Sequence, residues 1–242
     1  MMDKKRADRT IRVLGSIAFE RLGNMSVLVA GVGGVGGYAA EHLVRCGVGR
    51  LIIVDGDVVD ISNCNRQIAA LSSTVGKSKC EVLKARFLEI NPDLEIETVP
   101  RFIKTKADIE QLLDRNVDYV IDAIDDVPAK IELISSCVER KIKLTSSMGA
   151  AGKFDARAVK LADISKTSGC PLARVVRKKL RERGIRRGVN CVFSEESSIP
   201  GPAGEKPGSL SYVVCAFGTL CAQSIIADVI NSSSVSNQSA EE

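Results

Sequence analysis

The sequence has a single histidine, His42, among its 242 residues. Catalytic triads need an imidazole placed beside a nucleophile, and histidine-based metal sites need several imidazoles. His42 lies in a predicted helix, where we interpret it as a packing or surface residue. The sequence therefore excludes triad hydrolases and His-rich metalloenzymes.

Long apolar runs are also missing. No uninterrupted apolar stretch reaches the roughly 18 residues that mark a bilayer-crossing helix. The N-terminus, Met1 to Arg12, is charged and is not followed by the apolar segment of a secretory signal. We expect a cytoplasmic protein without membrane contact. The net charge of +4 is too small to demand a nucleic-acid partner by itself.

The eight cysteines do not form the two CxxC pairs that clasp a tetrahedral zinc ion. Cys215 and Cys221 are separated by five residues, and Cys170 and Cys191 are isolated. A chain of this size needs no disulfide staples, so we expect reduced, mostly buried thiols and no structural zinc. We interpret Cys191 and Cys215 as core thiols, and whether any cysteine is catalytic stays open.

Strand-like and helix-like segments alternate through residues 1–152. This alternation predicts an α/β fold with a doubly wound, Rossmann-like, mostly parallel sheet and right-handed crossovers. We take residues 1–152 as one domain. The predicted strands are 27–30, 51–54, 96–99, 119–122 and 144–146, and the predicted helices are 38–45, 79–90, 106–115 and 129–140.

Residues 153–242 are predicted to be a smaller C-terminal extension that binds the substrate. Two strand-like pieces, 158–161 and 190–193, flank a basic helix over 172–183. The Pro/Gly-rich segment 199–208 is predicted to be a mobile loop. We expect a strand end and a buried helix over 210–230, then a disordered Ser/Asn tail over 232–242.

A glycine-rich turn follows the first predicted strand and precedes a helix. In this position backbone N–H groups and the helix N-terminus can approach phosphates. Asp55 ends the next predicted strand, where a carboxylate can accept hydrogen bonds from ribose hydroxyls. The sequence thus predicts a nucleotide site. The glycines with the required spacing are Gly31, Gly33 and Gly36.

The polar residues after Asp55 distinguish between nucleotides. A dehydrogenase needs an apolar nicotinamide slot, whereas Asn63, Arg66 and Lys79 offer donors and positive charge for a triphosphate. We predict that Arg66 and Lys79 face solvent in the cleft. ATP is therefore the predicted nucleotide.

Several motifs together resemble the MoeB/ThiF superfamily of ubiquitin-activating-enzyme-like adenylating proteins. They cover most of residues 27–152. The motifs are the glycine run 31–37, the stretch DGDVVDISNCNRQ at 55–67, GKSKCE at 76–81, INP at 90–92 and DAID at 122–125.

The resemblance implies that ATP and Mg²⁺ bind in one site and that the protein is a homodimer. Asp125 would coordinate Mg²⁺, although Asp126 stands where relatives usually have a small polar residue, so the choice between them is open. An N-terminal arginine of the partner subunit would complete the site, with Arg12 the best match and Arg9 the competitor. The implied catalytic residues are Arg12, Arg66, Lys79 and Asp125, and the implied nucleotide-binding residues are Gly31, Gly33, Gly34, Gly36, Asp55, Asp57, Asn63, Arg66 and Lys79.

The second half resembles the TcdA branch, the tRNA threonylcarbamoyladenosine dehydratases. This branch uses ATP to adenylate the carboxylate of threonylcarbamoyladenosine in tRNA, after which an internal nucleophile closes a ring and expels AMP. No protein thioester is needed. The matching segments are DISKT at 163–167, PLA at 171–173 and GVNCVFSEE at 188–196.

Positive charge is concentrated between residues 174 and 187, where eight arginines and lysines stand against the single acid Glu182. Such a density favours contacts with a phosphate backbone. No aromatic residue interleaves it, so the contacts are expected to position the RNA rather than read its sequence. The predicted nucleic-acid residues are Arg174, Arg177, Lys178, Lys179 and Arg181.

Two other functions fit parts of the sequence. An activator of a ubiquitin-like sulfur carrier protein would use the same ATP site on a protein C-terminus. A non-catalytic NAD-binding sensor would use the glycine turn alone. The sequence also leaves open whether a sulfur-relay or cysteine desulfurase protein assists.

Overall fold

The computed structural model describes residues 1–205 and 207–238, and side chains within these ranges up to residue 232. Its centre is a seven-stranded sheet in the order β3-β2-β1-β4-β5-β7-β6. Every neighbouring pair is parallel except β6 and β7. The strands are β1 Ser26–Ala30, β2 Arg50–Val54, β3 Glu95–Val99, β4 Tyr119–Asp122, β5 Lys143–Ser147, β6 Val159–Asp163 and β7 Asn190–Ser194.

Helices cover both faces of this sheet. Alternate residues of β1 point to opposite faces, so Val27 and Val29 belong to one core cluster and Leu28 and Ala30 to the other. The predicted doubly wound fold is therefore confirmed. The helices in the described residues are α1 Lys4–Leu14, α2 Ser16–Gly23, α3 Gly36–Cys46, α4 Lys79–Ile90, α5 Lys106–Leu113, α6 Val127–Glu139, α7 Pro171–Glu182 and α8 Ser211–Gln238.

Strands β6 and β7 belong to the C-terminal extension and add to one edge of the main sheet. The C-terminal region differs from its prediction in two ways. No strand end precedes α8, which begins directly at Ser211. The expectation of a disordered tail is wrong for residues 232–238, which continue α8, while 239–242 lie outside the described residues. The division at residue 152 into a nucleotide part and a substrate part stays a prediction.

Helix α8 completes one of the two cores. Val213, Phe217, Cys221 and Ile225 are buried in the cluster that contains β1 and α3. The two helices approach closely at Gly218, where a Cβ atom would lie 2.7 Å from the carbonyl oxygen of Val35. By length and composition, residues 211–232 could also cross a membrane, but half of that stretch is buried inside the fold. Its packing is that of a core helix.

Helices α1 and α2 were not predicted. The apolar residues Ala7, Ile11 and Leu14 of α1 recur at helical spacing, but only Ala7 is fully buried and most of the other residues are charged. The side chain of Asp3 caps its N-terminus by accepting hydrogen bonds from the backbone N–H groups of Lys5 and Arg6. A local cap, rather than a buried face, therefore defines where this helix begins.

Candidate nucleotide-binding site

A cleft of about 910 Å³ opens at the carboxyl ends of β1, β2 and β4. The strand order reverses between β1 and β4, and ligands of open α/β sheets bind at such switch points. Most of the predicted nucleotide residues meet here. The cleft is lined by Gly31, Gly33, Gly34, Asp55, Asp57, Asn63, Arg66, Lys79 and Asp125, together with Asn65, Gln67, Arg101, Phe102, Asp126 and Val214.

The glycines of the turn have two different roles. Gly31 has a positive φ of 83°, and its N–H donates to the carbonyl of Val54. Gly33 and Gly34 line the cleft, whereas Gly36 does not. A Cβ atom on Gly36 would lie 1.8 Å from the carbonyl oxygen of Gly31, so Gly36 is required for helix–strand packing. Open backbone at Gly33 and Gly34 leaves room for a phosphate.

Asp55 is held rigidly at the end of β2. Its Oδ2 accepts a hydrogen bond from the N–H of Val32 at 2.8 Å, and its Oδ1 accepts one from the N–H of Asp57 at 2.9 Å. Each carboxylate oxygen retains a further lone pair. The carboxylate thus ties β2 to the glycine turn and can still accept a hydrogen bond from a hydroxyl group.

Lys79, the first residue of α4, is buried rather than solvent-facing, so that expectation was wrong. It is 4% exposed, and its Nζ lies 2.7 Å from Oδ2 of Asp57. Desolvating an ammonium group is unfavourable unless a charge partner is close, and Asp57 supplies that partner. Lys79 therefore presents a fixed positive charge at the cleft wall.

Asn63 is the last residue of a short 3-10 helix, Ile61–Asn63, and Arg66 lies three residues beyond it. Asn63 is 9% exposed, and its Oδ1 accepts from the N–H of Asp60 at 3.3 Å. Its Nδ2 reaches only Ser62 Oγ, at 3.5 Å. Arg66 is half-buried, and its Nη1 donates to the carbonyl of Ser62 at 3.0 Å. Both side chains keep donors available for an anion.

The adjacent acids Asp125 and Asp126 are both exposed but differ in what they bind. Oδ1 of Asp126 accepts from the N–H of Ala129 at 2.9 Å and caps the N-terminus of α6. Asp125 has no hydrogen bond or salt bridge to another described residue. Its carboxylate is therefore the one left open to a cation.

Gln67 is the last residue of the DGDVVDISNCNRQ stretch, and the sequence alone predicts no role for it. It is 9% exposed, and its Oε1 has no hydrogen-bond partner among the described residues. A buried amide oxygen without a partner is unfavourable by about 1–3 kcal/mol, which a bound ligand or water would offset. The amide lies against Gly33. A glutamine in a sequence is usually a surface residue, so only the structure shows that this amide is buried in the cleft.

A buried ion pair lies beneath the cleft. Nζ of Lys130 is 2.7 Å from Oδ2 of Asp122, and both side chains are fully buried. Lys130 also donates to the carbonyl of Ser147 at 3.0 Å, and Ser146 Oγ donates to the same Asp122 oxygen at 2.6 Å. This network links the ends of β4 and β5 to α6. Sequence reasoning missed it because Lys130 occupies an ordinary apolar helix face.

Arg12 does not line the cleft of its own chain. Its guanidinium pairs with Asp8 one turn earlier, at 3.1 Å, and remains 66% exposed. The role given to Arg12, or to the neighbouring Arg9, in a partner's site stays a prediction.

All eight cysteines are free, and five of them are buried. Burial raises the pKa of the Cys137 and Cys221 thiols to about 12 and also raises the pKa of Cys191. Thiols in this state are poor nucleophiles. Cys191 is a core thiol as expected, whereas Cys215 is only half-buried.

Helix α7 separates its positive charges into two groups. Ala173, Val176 and Leu180 face the core, and the exposed Arg174, Lys178 and Arg181 follow one another along the outer face. These three form no salt bridge with a described residue. In contrast, Arg177 donates to the carbonyl of Thr167 at 2.7 Å, and Lys179 pairs with Glu182 at 3.0 Å.

The fold and the cleft define a nucleotide-binding α/β protein. A model of the ThiF family matches residues 7–240. The chain is 51% identical over 186 residues to the tRNA threonylcarbamoyladenosine dehydratase of Bacillus subtilis strain 168, covering 77% of this chain and 73% of that protein. It is 37% identical over 203 residues to the Escherichia coli K12 enzyme of that name, covering 81% and 75%.

Solved structures give the same result. The E. coli enzyme TcdA in complex with ATP superimposes with a TM-score of 0.89 at 34% identity, covering 96% of both chains. The chain therefore belongs to the ThiF family, and its predicted resemblance to that family and to the TcdA branch is confirmed.

Gly33 and Gly36 offer a matched pair of substitutions. In Gly33→Ala the new Cβ meets no atom closer than 3.7 Å, so stability should stay within about 1 kcal/mol of the parent. The methyl group should nevertheless obstruct phosphate approach and weaken ATP binding at least about tenfold. Gly36→Ala should instead destabilise the fold by more than about 2 kcal/mol. Thermal unfolding and ATP titration calorimetry measure both effects. Unchanged ATP affinity in Gly33→Ala would exclude phosphate contact at this turn.

Proposed function

We propose that this chain is a tRNA threonylcarbamoyladenosine dehydratase that uses ATP to adenylate a carboxylate. The observation that supports this most is the meeting, in one cleft, of the open Gly33–Gly34 backbone with the cations Arg66 and Lys79. These groups fit a triphosphate. Relatives with similarity along most of both chains carry the same activity in their names.

The reaction has two steps. A carboxylate oxygen of the substrate attacks the α-phosphorus of ATP, the bond to the bridging oxygen breaks, and pyrophosphate leaves. A nucleophile within the substrate then attacks the acyl carbon and closes a ring, and the former carboxylate oxygen leaves with AMP. Arg66 and Lys79 would offset the negative charge that develops on pyrophosphate. Asp55 would hold the ribose.

Charge balance supports a magnesium ion in the site. The described lining residues include five carboxylates, Asp55, Asp57, Asp60, Asp125 and Asp126, against the three cations Arg66, Lys79 and Arg101. A triphosphate beside this excess of acid requires a divalent cation, and Mg²⁺ takes few carboxylates together with phosphate oxygens. Asp125 would hold it. When bound, the ion would neutralise charge on the phosphates.

The proposal also includes a partner subunit, a cellular compartment and an accessory protein. The partner subunit of a homodimer would supply Arg12 or Arg9 to the phosphates. The protein would work in the cytoplasm, where its thiols stay reduced. A sulfur-relay or cysteine desulfurase protein would be an accessory partner, and no residue of the reaction above depends on it.

The activity is tested by incubating the purified protein with Mg²⁺-ATP and either tRNA that carries threonylcarbamoyladenosine or a ubiquitin-like sulfur carrier protein. We expect AMP and pyrophosphate only with the modified tRNA, because the basic outer face of α7 suits a polyanion. Unmodified tRNA is the control. AMP formation with the carrier protein alone would overturn the proposal in favour of a sulfur-carrier activator.

Asp125→Ala and Asp126→Ala should separate metal binding from helix capping. Asp125→Ala should lower the rate of AMP formation at least tenfold at limiting Mg²⁺, roughly the 1.4 kcal/mol lost with one weak ligand. Asp126→Ala removes a cap and should lower the free energy of unfolding by about 1 kcal/mol with little loss of activity. The rate of AMP formation in a magnesium titration and the free energy of unfolding in urea distinguish the two roles. The reverse pattern would make Asp126 the ligand.

The triple variant Arg174→Ala, Lys178→Ala, Arg181→Ala should bind tRNA more weakly while keeping its tRNA-independent ATP affinity. Three lost phosphate contacts should reduce the slope of log Kd against log salt by about 2 to 3. Lys179→Ala is the control, because Lys179 is on the same helix but already pairs with Glu182. Identical salt slopes in the triple variant and the parent would remove α7 from tRNA binding.

A further inference from the structure

A groove of about 620 Å³ runs beside the nucleotide cleft, between the β3–α5 connection, α6 and α7. Ile103 lines both the groove and the cleft, so the two adjoin at this residue. The groove ends against Lys179 and Arg183 of α7. It therefore connects the nucleotide site with the helix that carries the basic face.

The groove has an apolar floor and charged rims. Ile109, Pro128 and Ile131 form part of the floor. Four cations line the groove, Lys104, Lys106, Lys179 and Arg183, against the two acids Glu132 and Glu182. Those acids pair with Arg183 and Lys179, at 2.7 Å and 3.0 Å. Nζ of Lys106 also lies 3.9 Å from Oε2 of Glu139, but Glu139 does not line the groove. The excess of positive charge among the lining residues thus lies at Lys104 and Lys106, next to Ile103.

Phe102 lines the cleft and directly precedes Ile103, the residue shared with the groove. Its ring packs on the backbone of Gly56, where a Cβ atom would lie 2.6 Å from ring atoms, yet the residue is 53% exposed. Nζ of Lys104 lies 6.0 Å from the ring centroid. An aromatic ring fixed on one side and open on the other, beside cations, is the arrangement that single-stranded nucleic acid uses for base stacking.

We propose that the groove holds a single-stranded stretch of the RNA substrate, with a base stacked on Phe102 and phosphates at Lys104 and Lys106. This inference rests on the proposed function and specifies how the RNA reaches the site. RNA is recognised mainly through unpaired bases that stack on aromatic side chains, and a carboxylate attached to such a base must leave a helix to reach the α-phosphorus. The charge of the rims and the apolar floor match a polyanion with flat apolar bases.

Phe102→Leu should raise KM for the modified tRNA about tenfold, while Phe102→Tyr, which keeps the ring, should stay near the parent. KM for ATP should not change in either variant. An increase in KM for ATP instead would show that the ring belongs to the nucleotide subsite and would overturn the inference. Unchanged KM for tRNA would overturn it as well.

The phosphate contacts are tested by titrating modified tRNA into Lys104→Ala/Lys106→Ala across a salt series. Two lost contacts to a single strand should reduce the slope of log Kd against log salt by about 1.4. The matched control is Lys143→Ala/Lys160→Ala, whose side chains are 62% and 53% exposed against 58% for Lys106. Equal salt slopes in the two double variants would refute the binding of RNA phosphates at Lys104 and Lys106. If the parent binds the tRNA with this salt dependence but releases no AMP, the proposed activity fails and the groove stands.

Discussion

The buried pair of Asp122 and Lys130 is the constraint on which the site depends. It removes two charges from water, and only the close approach of the pair with its added hydrogen bonds offsets that desolvation. In return, the ends of β4 and β5 and the start of α6 are held in one arrangement. The loop that carries Asp125 connects β4, which contains Asp122, to α6, which contains Lys130. If either partner were removed, the other would remain as an unpaired charge under the cleft, and the loop with Asp125 would lose its support.

Most of the acidic side chains in the rest of the cleft are also paired with groups of the protein. Asp55 fixes the glycine turn to β2, Asp57 pairs with Lys79 and holds it in place, and Asp126 caps α6. Each of these acids has a structural partner within the protein. Asp125 and the amide oxygen of Gln67 have none among the described residues. Both groups line the cleft, so the groups left without partners mark where a ligand belongs.

Much of this arrangement could be predicted from local patterns. Apolar β-branched runs located the strands because such runs depend on residues close in sequence. The glycine turn and Asp55 could be placed together because each follows one of two neighbouring parallel strands. The burial of Lys79 could not be predicted, since it depends on a pairing with Asp57 across 22 residues. The division of work between Asp125 and Asp126 depends on where α6 begins. Phe102 lies in an irregular connection, and only the fold brings it to the cleft.

Helix α8 has a consequence for how the chain is made. Its residues 211–232 are synthesised after all seven strands, yet they bury the apolar side of α3 that packs at Gly218. A nascent chain that still lacks this helix must expose that surface while the sheet is already assembled. Such an intermediate is prone to self-association, so retention by the ribosome or a chaperone would protect it until the closing segment emerges.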